Sequence, residues 1–535
     1  MTSTAWLRQV VGRRIGRRGD ADTDEAVARE APSAAVAVVT AVAVAASIVV
    51  MLVLIRPFTV GPVGFDSAAS VLYFDRILSG QKLETFLGAT PKPLLTLVYG
   101  VLYGLTHDWR FVSWSVIAVQ AAAVGAAGLL IGRVAGPSAA AFAAFGLLGL
   151  APLLTDVTLA YATPFALLAV LVAGLAVTRT KPAYLLAGVA LLPATLARIE
   201  VLALVGVVTV AVVIAYARER SSGAARRRPT YALLLIAFLA VPIMMIHDVL
   251  LTGDAFYWLK VSAVYSATYP DTVLSPIELA GFVIRRYLPF APILVLAVVG
   301  VTWAVRRRQW PTVVGFAGVG PGILALLFVL AARGTYTSAR YFILIDVALV
   351  LAAAIGVGVV VRIVAAALEG RSAAVARIGG VARAIAAVAV GGILAVVLVR
   401  PWAPLDTRTR ASLTSNVQTF RNSDTAARAI RTDSDGRYAR DGGTLIIPPL
   451  LQPRLAVQLN LPLTRVVSSA VAASGSLLPA PRPGDYVVHE SRLDRPATAY
   501  DRYEVAQPLA EGDIVLDPLV SDRRGGVWVY NVRPR

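Results

Sequence analysis

Four apolar runs, near residues 33 to 55, 231 to 251, 312 to 332 and 341 to 361, decide what this chain can fold into. Each approaches or exceeds the ~20 residues that a helix needs to cross ~30 Å of hydrocarbon. A backbone inside lipid has to satisfy its own polar groups, so runs of this length become helices. With 57% hydrophobic and only 15% charged residues, the chain reads as a polytopic membrane protein and not as a string of soluble domains. The first run follows about thirty polar residues that carry "RRIGRR". It exceeds the ~7 to 15 residues of a cleavable signal's apolar core and is expected to stay as an anchor.

Charge then sets the partners. A net charge of +18 raises nucleic acid as a candidate, but the arginines cluster beside apolar runs, as cytoplasmic loops facing anionic membrane lipid do. No nucleic-acid partner is expected. Absence of cysteine excludes a disulfide framework and thiolate chemistry, and three scattered histidines leave little for a zinc site. Chemistry has to rest on Asp, Glu, Lys, Arg and Tyr. No cofactor is assigned, and a divalent metal stays open. The triplet "DSD" in "RTDSDGRY" is similar to a metal-binding triplet of soluble sugar transferases, but its turn-rich setting favours a loop. Nothing fits a phosphate-binding P-loop, a zinc helix or a serine triad.

Arginine groups at 13 to 18, 179 to 181, 218 to 228, 306 to 308 and 362 to 383 are expected inside. Candidate spans are 33–55, 111–132, 138–155, 164–178, 182–197, 200–217, 231–251, 289–305, 312–332, 341–363 and 384–400. Counting "PLLTLVYGVLYGL", 93–105, as a crossing would put the basic loop 218–228 outside, so it reads as half-inserted or interfacial. The alternative makes 93–105 cross and one of 164–178 and 182–197 not. The expected fold is mainly α: a polytopic transmembrane helical bundle of about eleven spans plus interfacial helices, with a small C-terminal extracytoplasmic α/β domain. Residues 1–32 form a cytoplasmic basic segment, 33–400 the transmembrane domain and 401–535 the outer domain. In that tail, "TLIIP", "DYVVH", "DIVL" and "VWVYNV" read as strands, and "NSDTAARAIRT" as a helix with an Asn or Ser cap. The placement is a multi-pass protein of the plasma membrane, N-terminus cytoplasmic and C-terminal domain outside.

This topology brings Asp66, Asp75, Lys92, Asp156, Arg198, Glu200, Asp254, Lys260, Arg285, Arg286, Arg333 and Arg340 at or near the outer face. In "GFDSAASVLYFDRILSG" (64–80), Asp66 stands at a helix N-cap position, with 67–79 helical and Gly80 as the stop; capping is its alternative role. Asp75 has apolar helical neighbours, with Arg76 pointing elsewhere. The two aspartates face opposite sides of one helix and cannot form a dyad. Lys92 is held between two prolines in "TPKPLL", or else snorkels at the interface. In "LPATLARIEVLAL", Arg198 and Glu200 are two apart, do not face each other on a helix, and mark a hairpin tip. The loop holding Asp254 and Lys260 is rich in aromatics, as an interfacial belt or a sugar lining would be. Arg285, Arg286, Arg333 and Arg340 lie outside against the usual bias, where guanidinium forks match lipid phosphate or form ion pairs.

Taken in order, these residues resemble the GT-C-type membrane glycosyltransferases of the actinobacterial kind, dependent on polyprenyl-phosphate sugars. The resemblance covers roughly residues 30 to 400 and rests on "GFDSAASVLYFDRILSG", "PKPLL", "TLARIEVLAL" for an Arg-Pro-Glu-Gly turn, "LLTGDAFYW" for a Gly-Asp-Pro loop, and "ARYFIL". Ile199 and Val201 stand where the family has Pro and Gly, and Ala255 where it has Pro. The resemblance implies sugar transfer from a polyprenyl-phosphate donor to a cell-envelope glycan, lipid or protein, with inversion. It implies that a first-loop aspartate is the base, Asp66 in first place and Asp75 in second, and that Arg333 and Arg340 hold the leaving phosphate. Lys92, Arg198, Glu200, Asp254, Lys260, Arg285 and Arg286 complete the expected substrate-binding set. A secondary transporter or a non-enzymatic scaffold of envelope assembly is the competing class.

Overall fold

The computed structural model describes residues 33–55, 61–83, 89–179, 181–221, 230–268, 273–335, 339–369, 380–399, 402–438, 443–447, 451–468, 482–490, 514–522 and 527–535. The basic segment 1–32 and the arginines at 226–228, 371 and 377 lie outside the described residues. The helices in chain order are α1 (Ala34–Ile55), α2 (Phe65–Leu78), α3 (Pro93–Thr106), α4 (Trp109–Ala135), α5 (Pro137–Gly149), α6 (Ala151–Thr158), α7 (Thr163–Val177), α8 (Tyr184–Ala197) and α9 (Leu202–Ser221). They continue as α10 (Ala240–Thr252), α11 (Tyr257–Thr268), α12 (Pro276–Tyr287), α13 (Ala291–Arg306), α14 (Trp310–Ala317), α15 (Ile323–Ala332), α16 (Ile343–Glu369), α17 (Gly380–Leu398), α18 (Thr407–Asp433) and α19 (Gln452–Leu459).

The protein is a multi-pass helical membrane protein. Among the described residues, eight helical segments are long and apolar enough to cross a bilayer, or nine if α5 and α6, bent by 56°, form one broken span. That count is lower than the eleven expected because α7 and α8 have only 15 and 14 residues. At ~1.5 Å rise per residue they reach about 21–23 Å, short of the hydrocarbon thickness. α3 is equally short at 14 residues. The span expected over 289–305 is longer, because α12 joins α13 through a 3-10 turn into Pro276–Arg306. Between α14 and α15 the helix widens to a π turn at Gly318–Gly322, where Pro321 offers no N–H to the ladder. Helices meet closely where side chains are smallest: a Cβ on Gly300 would lie 2.1 Å from the Ala352 carbonyl, and one on Gly356 2.0 Å from that of Leu296. Backbone contact of this kind seats α13 against α16.

The tail forms a five-stranded sheet ordered β2-β1-β3-β5-β4 from β1 (Leu445–Ile447), β2 (Val466–Ser468), β3 (Tyr486–Glu490), β4 (Ile514–Asp522) and β5 (Val527–Pro534). β1 pairs in parallel with β2 and β3, and β5 runs antiparallel to β3 and β4. Four of these strands match the expected ones; β2 is additional. The helix expected from Asn422 begins instead at Thr407, capped by Asp406, which accepts from the Thr409 amide at 2.8 Å. Asn422 and Ser423 are therefore mid-helix and buried, not caps.

Tail and membrane domain share one core. Ala69, Leu72 and Tyr73 of α2 lie in the same apolar cluster as Leu451, Leu455 and Leu459 around α19. Beside them Arg454, 1% exposed, donates to the Gly61 carbonyl at 2.6 Å and to Asp424 at 2.7 Å. Its guanidinium lies 5.2 Å from the Trp109 ring centroid and 5.4 Å from that of Phe420. Such double stacking suits a weakly hydrated planar cation.

Candidate functional site

α2 starts two residues earlier than expected, so Asp66 is not the cap. Gly64 takes that position with no side chain to offer. Its amide donates to the Leu159 carbonyl at 2.7 Å, and a Cβ there would come within 2.8 Å of the Tyr161 ring. Ser67 Oγ and Tyr99 Oη both donate to the carbonyl of Ala160, at 2.7 and 2.6 Å. Ala160 is left-handed, with φ of 53°, a conformation that costs an alanine energy and is held here by those two buried donors. The start of α2 is thus fastened to the turn between α6 and α7. Asp66, released from capping, lines a cleft of about 640 Å³.

Two distant segments converge on its carboxylate. Lys92 Nζ donates to Asp66 Oδ2 at 3.0 Å and Arg340 Nη1 to the same oxygen at 3.2 Å. Lys92 precedes α3 in an extended conformation set by the flanking Pro91 and Pro93, and its ammonium also reaches the Thr90 carbonyl at 3.3 Å. Arg340 comes from the 3-10 turn Ala339–Phe342 and lies 4.5 Å from the Tyr161 ring centroid. Burial pushes the Asp66 carboxyl up, but the two cations outweigh it and hold its pKa at about 2. Asp66 is therefore ionised at neutral pH. Its share of the protein's stability is present above the ordinary carboxylate pKa and is lost as pH falls toward 2.

Behind this trio stands Arg198. The sequence spacing predicts that Arg198 and Glu200 do not face each other. They do meet, because α8 ends at Ala197, Arg198 is extended (φ −143°, ψ 116°) and Glu200 sits in the 3-10 turn Ile199–Val201. Arg198 Nη2 donates to Glu200 Oε1 at 2.9 Å and to the Arg340 carbonyl at 3.2 Å, while Nη1 lies 3.5 Å from Asp156 Oδ2. Thr163 Oγ1 accepts from Arg198 and donates to Asp156. Arg198, Glu200 and Asp156 are all buried. This guanidinium is consumed by internal partners, and it fixes the backbone that carries Arg340.

Six of the twelve expected outer-face residues gather here: Asp66, Lys92, Asp156, Arg198, Glu200 and Arg340. Asp75 does not. Its side chain is 62% exposed and takes a 2.8 Å hydrogen bond from Arg76, which is buried and does not point elsewhere as expected. Asp254 pairs with Lys260 and accepts from the Phe256 amide at 3.0 Å, away from the cleft lining. Arg285 and Arg333 are exposed. Arg286 pairs with Asp346, which also accepts from Tyr287 Oη at 2.9 Å, at a separate cavity of about 750 Å³. Sequence reasoning missed Tyr161 and Thr163, whose only local sign is the short polar break "YATP" between apolar helices. Among the described residues no three His, Cys, Asp or Glu side chains gather to hold a metal. Asp433 of the "DSD" triplet ends α18 and accepts from Tyr486 Oη at 2.6 Å, within the tail.

Fold and site together define a multi-pass membrane protein with a charge-lined cleft beside a small α/β domain. No family model and no curated protein matches the chain. Among solved structures it is similar to ArnT from Cupriavidus metallidurans bound to undecaprenyl phosphate, at 18% identity and a TM-score of 0.49 over 92% of this chain and 97% of that one. The apo state of that ArnT is matched over the same shares at 16% identity and a TM-score of 0.49. The oligosaccharyltransferase of Archaeoglobus fulgidus in complex with Zn and sulfate is matched at 12% identity and a TM-score of 0.44, over 84% of this chain and 68% of that one.

Proposed function

We propose that the protein is a GT-C-type membrane glycosyltransferase that moves a sugar from a polyprenyl-phosphate donor to a cell-envelope acceptor at the outer face of the plasma membrane, with inversion. One observation carries this reading: an ionised carboxylate with only 13% of its side chain exposed shares a cleft with two cations that are themselves in reach of a ligand. Asp66 takes the proton of an acceptor hydroxyl as that oxygen attacks the anomeric carbon. A carboxylate is a weak base, so it acts late, when the attacked centre has oxocarbenium character and the hydroxyl has become acidic. Lys92 and Arg340 hold the phosphate that leaves, where positive charge is needed as negative charge develops. Asp75, exposed and paired, is left without a catalytic part.

The test is sugar transfer by the purified protein in lipid nanodiscs, supplied with a polyprenyl-phosphate sugar and an envelope fraction. Donor bound without turnover but moved across a sealed vesicle would favour a transporter; no donor binding at all would favour a scaffold. Arg340→Gln is expected to weaken donor binding ~10- to 150-fold, since a charge-assisted contact contributes ~1.5–3 kcal/mol. Arg333→Gln, exposed at the end of α15, is expected to leave it unchanged. Equal effects of the two substitutions would remove Arg340 from phosphate binding.

Sidedness follows the arginine distribution. Tags after residues 220 and 307 are expected in the cytoplasm, and tags within 401–535 outside. Labelling of the tail from the cytoplasmic side only would remove the outer site altogether.

A further inference from the structure

Asp66 Oδ2 holds Lys92 and Arg340 at once, so the proposed base is covered by the same two cations that the leaving phosphate requires. Resting on the transferase reading, we infer that Lys92 and Arg340 are exchanged between Asp66 and the donor phosphate, so that arrival of the phosphate uncovers the base. The donor is a phosphodiester with one negative charge, and with ionised Asp66 it balances the two cations. In the transfer step the acceptor O–H bond breaks and its proton goes to Asp66. The acceptor oxygen forms its bond to the anomeric carbon, and the bond from that carbon to the phosphate oxygen breaks with its electron pair going to the phosphate. The leaving phosphate then carries two negative charges and Asp66 none, so the same two cations are balanced again.

Other charges around Asp66 do not compete for this exchange. Arg198 is bound to Glu200 and Asp156, and the Tyr161 ring supports Arg340 from its face. The Lys92 and Arg340 side chains are 19% and 42% exposed, against 8% for Arg198, so they alone of the three cations can turn toward a ligand in the cleft. Exchange also fixes an order. Before the donor binds, a carboxylate held at about pKa 2 has almost no affinity for a hydroxyl proton. Once its cations lean to the phosphate, burial raises that affinity. Donor binding therefore precedes activation of the acceptor.

Two measurements test this. Binding of a short-chain polyprenyl phosphate is followed by calorimetry between about pH 5 and pH 8 in buffers of different ionisation enthalpy, for the wild type and Asp66→Asn. The wild type is expected to take up more protons per phosphate bound, the excess growing toward pH 5 and approaching about one. Equal uptake in both proteins would overturn the exchange, because the proton would then belong to the phosphate. The second measurement needs no variant. The acid limb of kcat/KM for acceptor at saturating donor should lie about one pH unit or more above that of kcat/KM for donor, since the first reports the donor complex and the second the free enzyme. Coincident limbs would overturn it as well. Failure of the base reading looks different: Asp66→Asn would transfer sugar at the wild-type rate, whatever the proton uptake.

Discussion

Asp66→Asn is expected to reduce sugar transfer ~100-fold or more while the protein still inserts and folds, which is the range that general acid–base catalysis contributes. Asparagine keeps the shape and one acceptor oxygen, but it carries no charge and cannot take a proton. Some stability is lost with the ion pairs, on the order of 1–3 kcal/mol for hydrogen bonds to charged groups. Asp75→Asn should leave transfer near the wild-type rate, because that side chain faces solvent and only Arg76. The pair of variants, assayed with the same donor and matched for protein level, separates base from bystander. Loss of transfer in Asp75→Asn with retention in Asp66→Asn would reverse the assignment, and full activity of the double variant would remove the carboxylate mechanism.

Arg198→Met is expected to destabilise the protein by ~3–5 kcal/mol, the usual cost of removing one partner from a buried ionic network. Asp156 and Glu200, at 1% and 5% exposure, would keep their burial and lose their counter-charge. The melting temperature in nanodiscs should fall accordingly, and transfer with it, since the Arg340 carbonyl loses its 3.2 Å donor. Adding Asp156→Asn and Glu200→Gln should restore much of the stability, because neutral groups no longer need the cation. Transfer should recover less, as the Arg340 backbone is still unsupported. A single variant that melts like the wild type would mean that water already reaches these carboxylates.

The membrane helices were legible because apolar length is a one-dimensional property. Their breaks were less so. Residues 276–287 fell between the expected spans 231–251 and 289–305, although Ser275 and Glu278 form a capping box, a local pattern that announces a helix start. In the tail, Asn422 and Ser423 resemble a cap and so suggested a helix shorter than α18. Asn416, Thr419, Asn422 and Ser423 are buried because other parts of the fold cover them, which the local sequence does not report. At the site, Asp66, Lys92 and Arg340 stood out by an apolar segment, by two flanking prolines and by an outer placement against the usual bias, in that order. The pairing of Arg198 with Glu200 did not, because it depends on a helix that ends between them and their neighbours. Ala160 gave no sign either: nothing about an alanine reveals that two distant hydroxyls hold it left-handed.

The buried guanidinium of Arg454 also sets a clock. Its hydrogen bond to Gly61 joins positions 393 apart along the chain. At ~5–20 residues per second, the ribosome needs about 20–80 s to deliver the second partner after the first. During that interval α2 lacks the helix that covers its far side, and Asp66 sits five residues from an unfinished anchor. The nascent protein therefore gains the support under α2 last, and a chain that stops before Arg454 leaves the helix carrying Asp66 without it.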